Sequence, residues 1–534
     1  MAVLQKGKAI YPFWGESINL ITGLDPLSLQ TTSEATYATL LPGISNLTNR
    51  LRYYGFYCWL LDFYFKKEKK GNSTEQYKFI RRAELMIAII MQSERKEVQQ
   101  ITGSNFAANL INSQTGKYYD LAAGADKDGT DKDVYWKYSS GAFGQYYFGA
   151  MRAISLAVAA INDDGDIIYS ITQPHPRQNV SGKELAAAFN ATLNAAVVDL
   201  FYTNIKKGRL QVDDIPELIK FFSIDIINPK SEEWQLYVKM LLDKDEPAQE
   251  VEELFTYYRR DTIQALLDTA VRSDNNFNWH QFLLEAYQLK LNNTGNPAAK
   301  TIQGWYAYQF NEYYQYACGA IFWATLQHLY SFQQDQYLPS FVKKLGAFIT
   351  KAICNEIDKT SPDSTVLQVI DNLSKDQDEE TIFENIETSP SSKPFAAATK
   401  GFLLLFRLYK ENKELLHPLK EFMNQKEMIR EGNMVDGLLS LHSSEKVSIK
   451  DFVDEFLLRK IIYRHQMVAI RKMGNSSQST HKFIIEEQYV RFIDTFPPRN
   501  TSPRMNALQN ILFDLSVIDD DGVLKAVYKK LQSV

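Results

Sequence analysis

The stretch from Asn49 to Lys67 reads NRLRYYGFYCWLLDFYFKK. It is apolar on nearly every side and carries basic residues near both ends, which is typical of a helix buried among other helices. The whole chain holds 31 Phe, 30 Tyr and 7 Trp, so large rings must supply much of the buried area. The sequence therefore predicts a mainly α fold, with a multi-helix, aromatic-rich body around this helix.

The length of the chain predicts more than one domain. At 534 residues, 45% hydrophobic and 23% charged, it is too long for a single core and has the composition of an ordinary globular protein. Breaks in the apolar pattern predict four consecutive segments. These are a helical domain at 1–160, a hairpin with helices at 161–235, a central helical domain at 236–440 and a basic module at 441–534.

A short β-hairpin is predicted in the second segment. Phe148–Ala160 has the pattern of a helix, Ile161–Thr172 that of a hairpin turning at Asp164-Gly165, and Gly182–Tyr202 that of a second helix. A winged-helix module has this order of elements. A hairpin attached to a helical body fits equally well, and the sequence leaves both interpretations open.

Two polar stretches are predicted to be loops. The acidic segment 371–393 ends in Ser-Pro-Ser-Ser and is interpreted as a linker or surface excursion. In ADKDGTDKD, Ala125–Asp133, the acids resemble part of a calcium-binding loop, but Tyr135 occupies the position that requires a bidentate carboxylate. The sequence therefore predicts a turn here, and no metal or cofactor site anywhere.

Charge and cysteine content limit the compartment and the partners. The net charge of −5 gives the whole molecule no basic excess for nucleic acid or anionic lipid. Cys58, Cys318 and Cys354 lie far apart and form no C-x-x-C pair. No apolar run is long enough to span a membrane. These features predict a cytoplasmic protein with no membrane partner.

The C-terminal segment is locally basic. A helix is predicted to begin at Ser448 and to end at Gly474, followed by a hairpin at His481–Ile493. Between Arg459 and Arg504 there are nine basic and three acidic residues, a balance of +6. In a winged-helix-like module these cations would contact the phosphates of double-stranded DNA; the candidates are Lys460, Arg464, Arg471, Lys472, Lys482, Arg491, Arg499 and Arg504. A solvated face, or a patch that docks on an acidic protein, is the alternative.

A second hypothesis uses residues of the same helix for catalysis. Arg459 and His465 have the R-x(4–6)-H spacing of all-helical ribonucleases of the HEPN type, in which the pair activates the 2′-hydroxyl and stabilises the cleaved phosphate. Such a pair is expected about once by chance in a chain of this composition. Lys460 also replaces the small polar residue that usually follows the arginine.

Other catalytic signatures are absent from the sequence. There is no G-x-x-x-x-G-K-[ST], no G-x-S-x-G and no H-E-x-x-H. The sequence therefore assigns no catalytic residue, and the chain is expected not to be an enzyme.

Three stretches carry a resemblance to a known group of proteins. LLPGISNLTNRLRYYGFYCWLLDFY at Leu40–Tyr64, RHQMVAIRKMG at Arg464–Gly474 and RMNALQNILFDLSVID at Arg504–Asp519 resemble helical proteins encoded in multi-gene bacterial anti-phage defence loci, of which the Menshen type is one. The resemblance implies a non-enzymatic adaptor or DNA-sensing subunit that acts with an ATPase or nuclease partner. A pure protein scaffold is a further alternative.

Overall fold

The computed structural model describes residues 19–20, 23–68, 72–113, 115–162, 165–175, 179–242, 257–291, 298–389, 392–474 and 478–532. Helices account for 62% of the described residues and strands for 7%, which confirms the mainly α fold. The described residues form two compact units, one within 1–35 and 307–501 (the first unit) and one within 36–306 and 502–534 (the second unit). These boundaries do not coincide with those of the four predicted segments.

In the first half of the chain the helices are α1 Gln30–Leu40, α2 Arg52–Lys67, α3 Ser73–Glu94, α4 Ser104–Ser113, α5 Leu121–Ala125, α6 Phe148–Ala153, α7 Gly182–Ala191, α8 Ala195–Lys207, α9 Ile215–Phe222, α10 Glu232–Leu242, α11 Tyr258–Arg272 and α12 Trp279–Leu289. In the second half they are α13 Ala299–Phe332, α14 Leu338–Glu356, α15 Val366–Asp371, α16 Glu379–Glu387, α17 Pro394–Asn412, α18 Leu416–Gln425, α19 Met434–His442, α20 Ile449–Glu455, α21 Arg464–Met473, α22 Met505–Asp514 and α23 Tyr528–Gln532. Two π-helices, Phe143–Tyr147 and Phe456–Tyr463, lie among them.

Within the described ranges the strands are short and form four small sheets. They are β1 Asn19–Leu20, β2 Tyr118–Asp120, β3 Ala157–Ile161, β4 Ile167–Ile171, β5 Arg209–Gln211, β6 Gln336–Tyr337, β7 Gln478–Ser479, β8 Phe483–Glu486 and β9 Tyr489–Phe492. The pairs β2–β5 and β3–β4 are antiparallel, β1–β7 is parallel, and the order β6-β9-β8 gives a three-stranded antiparallel sheet. The β8–β9 hairpin lies within the predicted range 481–493. The β3–β4 hairpin begins earlier than predicted, because its first arm, β3, ends at Ile161, where the predicted hairpin starts.

The aromatic helix α2 lies in the core of the second unit, as its sequence predicts. Tyr53, Tyr54, Phe56 and Tyr57 are each at most 1% exposed. Phe56 contacts the rings of three later helices, from α7, α8 and α9. Rings from distant parts of the chain therefore pack on this helix and form a single core.

A buried carboxylate marks the start of the first π-helix. The Glu84 side chain on α3 accepts hydrogen bonds from the backbone N–H of Ala142 at 3.0 Å and of Phe143 at 2.7 Å, and from the Tyr57 hydroxyl at 3.1 Å. It therefore satisfies backbone donors at the helix N-terminus that have no partner inside the helix. Burial raises the pKa of Glu84 to about 7.

The structure corrects the predicted helix at Phe148–Ala160. Helix α6 ends at Ala153, Ser155 has a left-handed φ of 57°, and β3 begins at Ala157. An apolar run of this length fits a helix or a strand equally well, and pairing with β4 decides between them. Of the predicted turn residues, Asp164 lies outside the described residues.

Two further corrections concern helices. The predicted helix Gly182–Tyr202 is two helices, α7 and α8, bent by 110°, with the Asn194 side chain accepting from the Val197 N–H at the start of α8. The acidic segment 371–393 is not only a linker. It contains α16, whose Ile382 and Ile386 are buried, so an amphipathic pattern inside an acidic stretch was missed.

Hydropathy sets a limit on membrane spans among the described helices. None of them is by itself long and apolar enough to cross a bilayer, and only the bent pair α7–α8 reaches the required length and composition together.

Candidate functional site

The candidate cations are carried mainly by one continuous helical element. It consists of α20, the second π-helix and α21, from Ile449 to Met473, and we call it the basic helix. As predicted, the Ser448 side chain caps its first turn by accepting from the Asp451 N–H at 3.3 Å, and Gly474 ends it with a φ of 52°. One flank of the basic helix is buried, through Leu457, Ile461 and others. This burial fixes the rotation of the helix about its axis and therefore the positions from which its cations project.

Three of these cations bind oxygen atoms of the loop at residues 23–29, and for two of them these are main-chain oxygens. Lys472 Nζ donates to the carbonyl oxygens of Leu24 and Asp25 at 2.6 and 2.7 Å. Arg464 donates to those of Leu27 and Ser28 at 2.5 and 3.1 Å. Arg471 donates to the Ser28 hydroxyl at 3.0 Å and pairs with Glu431 at 2.9 Å. These three side chains were expected to contact phosphates, but they donate hydrogen bonds to other residues of the first unit instead.

The loop that receives these bonds leads into α1. The Asp25 carboxylate accepts from the backbone N–H of Leu29 at 2.8 Å and of Gln30 at 3.0 Å. Burial raises the pKa of Asp25, although its backbone hydrogen bonds and the nearby Lys472 and Arg464 oppose the rise. The basic helix therefore holds the start of α1 through backbone contacts that no charge pattern in the sequence reveals.

The proposed ribonuclease pair is not assembled. His465 is fully buried, with Nδ1 at 3.0 Å from the Pro26 carbonyl oxygen and Nε2 accepting from the Lys482 N–H at 2.9 Å. Burial lowers the pKa of His465 to about 4. Arg459 is instead exposed and forms an ion pair with Glu455 one turn away. A buried imidazole with both nitrogens engaged has no free atom for proton transfer to a substrate.

The remaining candidates lie in dissimilar environments. Lys482 was expected at the surface, but its side chain is 2% exposed and pairs with Asp494 at 2.6 Å, so it cannot reach a phosphate. Arg491 is exposed and pairs with Asp335 at 2.9 Å, and Arg499 is exposed over the Phe496 ring. Lys460 is half-buried on the π-helix.

Arg504 belongs to the second unit, unlike the other seven candidates. Its guanidinium donates to the Leu41 carbonyl oxygen at 3.0 Å and lies over the Tyr37 ring. The eight candidates therefore do not all lie in one module.

The local charge of +6 is offset by carboxylates from outside the counted segment. Asp335, Glu431 and Glu455 each pair with one of its arginines. Sequence counting missed them because two of the three are distant along the chain.

A groove that sequence analysis did not find lies beside the basic helix in the first unit. It encloses about 390 Å³, which is within the range of ligand pockets. Its wall from α14 consists of Leu338, Pro339, Val342 and Lys343, and its wall from the basic helix consists of Asp451, Asp454, Glu455, Leu458 and Tyr463. The two walls are more than 100 residues apart in sequence, so no local pattern could have indicated the groove.

Apolar side chains continue along the basic helix past the groove. Tyr463, Met467 and Ile470 are 45%, 60% and 53% exposed, and we call them the apolar stripe. Their i, i+4, i+7 spacing places them on one helix face. The sequence shows this spacing, but a buried apolar face of a helix has the same spacing. Only the exposure of the three side chains shows that no described residue covers them.

In the described ranges, no group of three or more His, Cys, Asp or Glu side chains is placed to hold a metal ion.

No family model, curated protein or solved structure matches this chain.

Proposed function

We propose that this protein is a non-enzymatic adaptor subunit of a bacterial anti-phage defence complex and that it binds a partner protein through the first unit. The apolar stripe is the observation that carries the proposal. Exposed apolar side chains grouped on one element are typical of protein-binding surfaces. The resemblance to proteins of defence loci supplies the setting, in which the partner is an ATPase or a nuclease.

The placement of the basic residues supports protein binding over DNA sensing. Arg464 and Lys472 donate to backbone carbonyls, and Lys482 is buried in an ion pair. Affinity for DNA comes mostly from cations that replace the counterions of phosphates. Cations that already hold the protein together would have to give up those bonds first.

The surroundings of His465 count against the ribonuclease alternative. A general base needs a pKa near the working pH and access to the proton it removes. His465 has a pKa of about 4 and is fully buried.

Copurification tests the proposal. The tagged full-length chain is expressed from its native locus, as wild type and as the double variant Met467→Glu/Ile470→Glu. We expect a partner encoded in that locus to copurify with the wild type and to be reduced at least tenfold with the double variant. Ile161→Glu, at a 75% exposed position of the second unit, is the matched control and should retain the partner. Failure of any partner to copurify with the wild type would refute the adaptor function, and equal recovery in all three would refute binding through the apolar stripe.

A further inference from the structure

One face of the basic helix is continuous from the groove to the apolar stripe. Its members Asp451, Asp454, Glu455 and Leu458 line the groove and follow the three- and four-residue spacing of a helix face. The next member, Tyr463, comes five residues after Leu458, within the π-helix. A π-helix closes i→i+5 hydrogen bonds, so its wider turns keep residues five apart on one face. The groove and the stripe therefore form a single track.

The groove combines an apolar floor with an excess of negative charge. Leu338, Val342 and Leu458 supply apolar surface, and three carboxylates face one ammonium group, that of Lys343. Two of the carboxylates are engaged, because Asp451 accepts from the Ser448 hydroxyl and Glu455 pairs with Arg459.

Asp454 is the carboxylate that remains available. It is half-buried, and its oxygens make no hydrogen bond or ion pair with any residue in the described part of the chain. Burial, followed by the negative charge of Asp451, raises its pKa, and Lys343 opposes the rise without pairing. A half-buried carboxylate without a partner is stabilised when a cation binds to it.

Gly346 on α14 allows this arrangement. A Cβ atom at residue 346 would lie 1.8 Å from Asp454 Oδ1, so any side chain there would displace the carboxylate. The position of the carboxylate can therefore be changed without removing its charge.

We propose that the groove and the apolar stripe together bind a basic amphipathic helix of the partner protein. A Lys or Arg of that helix would pair with Asp454 with its methylene stem on the groove floor, while its apolar side chains cover Tyr463, Met467 and Ile470. The inference rests on the proposed adaptor function and identifies the chemistry of its partner. From Asp454 to Ile470 the track is at most about 24 Å long, the length of an α-helix with this number of residues, which corresponds to at most about 16 residues of a facing helix. A small amine would fill only the groove and leave the stripe exposed, so the length of the track favours a peptide segment.

Peptide binding to the full-length protein tests the chemistry. The probe is a fluorescent 18-residue helical peptide with leucines at i, i+3, i+4 and i+7 spacing and lysines at both ends. The control peptides carry glutamates in place of the lysines, or the same residues in scrambled order. Fluorescence anisotropy should give an affinity at least tenfold higher for the lysine peptide than for either control, with a stronger dependence on salt. Equal affinities for the lysine and glutamate peptides would overturn the inference.

Two variants test the site. Asp454→Asn keeps the shape and removes the charge, and Gly346→Ala keeps the charge and displaces it. Each should weaken binding of the lysine peptide about tenfold, whereas Asp358→Asn, an exposed carboxylate of the first unit outside the groove, should not change it. An unaltered circular dichroism spectrum of Asp454→Asn would show that the variant is folded, so that a lower affinity reports on binding. Unaltered affinity of both variants would contradict the proposed site.

Copurification from the native locus separates this inference from the proposed function. If a partner copurifies with wild type and equally with Asp454→Asn, the adaptor function holds and the groove is not the site. If no partner copurifies with wild type, the adaptor function itself is wrong. A lysine peptide that is displaced completely by hexylamine would assign the groove to small amines and overturn the helix proposal.

Discussion

At the scale of single residues, burial decides what a titratable group can do. His465 and Glu84 are both fully buried, and burial shifts their pKa values in opposite directions, to about 4 and about 7. The reason is the same in both cases, since a low-dielectric interior favours the neutral form of an acid and of a base. Each side chain therefore accepts or donates hydrogen bonds as a structural group, and neither is exposed to a substrate.

Glu84 should make the stability of the protein depend on pH near neutrality. Its pKa rises from 4.5 unfolded to about 7 folded, so its stabilising effect is complete below about pH 4.5 and is lost as the pH rises through 7. The shift corresponds to about 3 kcal/mol. In urea unfolding at pH 5 and pH 8, Glu84→Gln should gain stability relative to wild type at the higher pH.

The control for this prediction is Glu217→Gln, a half-exposed carboxylate of the same unit. Its unfolding free energy should follow that of wild type at both pH values. If the curves of wild type and Glu84→Gln run parallel between pH 5 and pH 8, the carboxylate does not titrate in this range.

At the scale of elements, the basic helix has two chemically different sides. Arg464 and Lys472 hold the 23–29 loop on one side, and the apolar stripe is exposed on the other. A charge-assisted hydrogen bond to a buried carbonyl contributes about 1.5–3 kcal/mol, whereas an exposed ion pair within a helix contributes about 0.3–0.5 kcal/mol. Arginines on the same helix should therefore differ strongly in their effect on stability.

Replacing Arg464 with alanine should destabilise the first unit by about 2–3 kcal/mol, because the Leu27 and Ser28 carbonyl oxygens lose a charged donor. In the same variant, Arg464→Ala, the amide hydrogen exchange of residues 24–30 should become faster. Arg459→Ala removes an arginine that is 70% exposed from the same helix and should change the free energy of unfolding by less than about 0.5 kcal/mol. Similar losses for the two variants would show that the loop contacts contribute little.

At the scale of the whole molecule, the distribution of charge governs long-range attraction. The net charge is −5, and the most basic segment is partly neutralised by carboxylates such as Asp335 and Glu431. A surface of this kind gives little attraction for a polyanion at physiological ionic strength.

We therefore expect no retardation of duplex DNA by the wild-type protein in a gel shift at about 150 mM salt. Any retention at low salt should fall equally in Arg491→Glu and in Lys230→Glu, an exposed lysine of the other unit, because only net charge would matter. Salt-resistant binding that is lost in Arg491→Glu alone would instead establish a specific DNA site.

Much of the fold was readable from sequence because its determinants are local. Helix α2 was predictable because it is apolar on nearly every side, and the basic helix because Ser448 and Gly474 mark its ends. The β8–β9 hairpin was predictable because a Glu-Glu-Gln turn at 486–488 separates two apolar runs. The helix at 148–160 was mispredicted because only the pairing of β3 with β4 distinguishes a strand there from a helix.

The sequence alone determined which residues are cationic, but tertiary structure decided which of those charges are available. Arg464 binds carbonyl oxygens 437 and 436 positions away in the chain. In the same way, no local sequence pattern indicates that α14 lies beside the basic helix and forms the groove with it. Secondary structure follows from the preferences of neighbouring residues. The availability of a charge or a surface depends on what packs against it, and that is set by contacts between residues far apart in sequence.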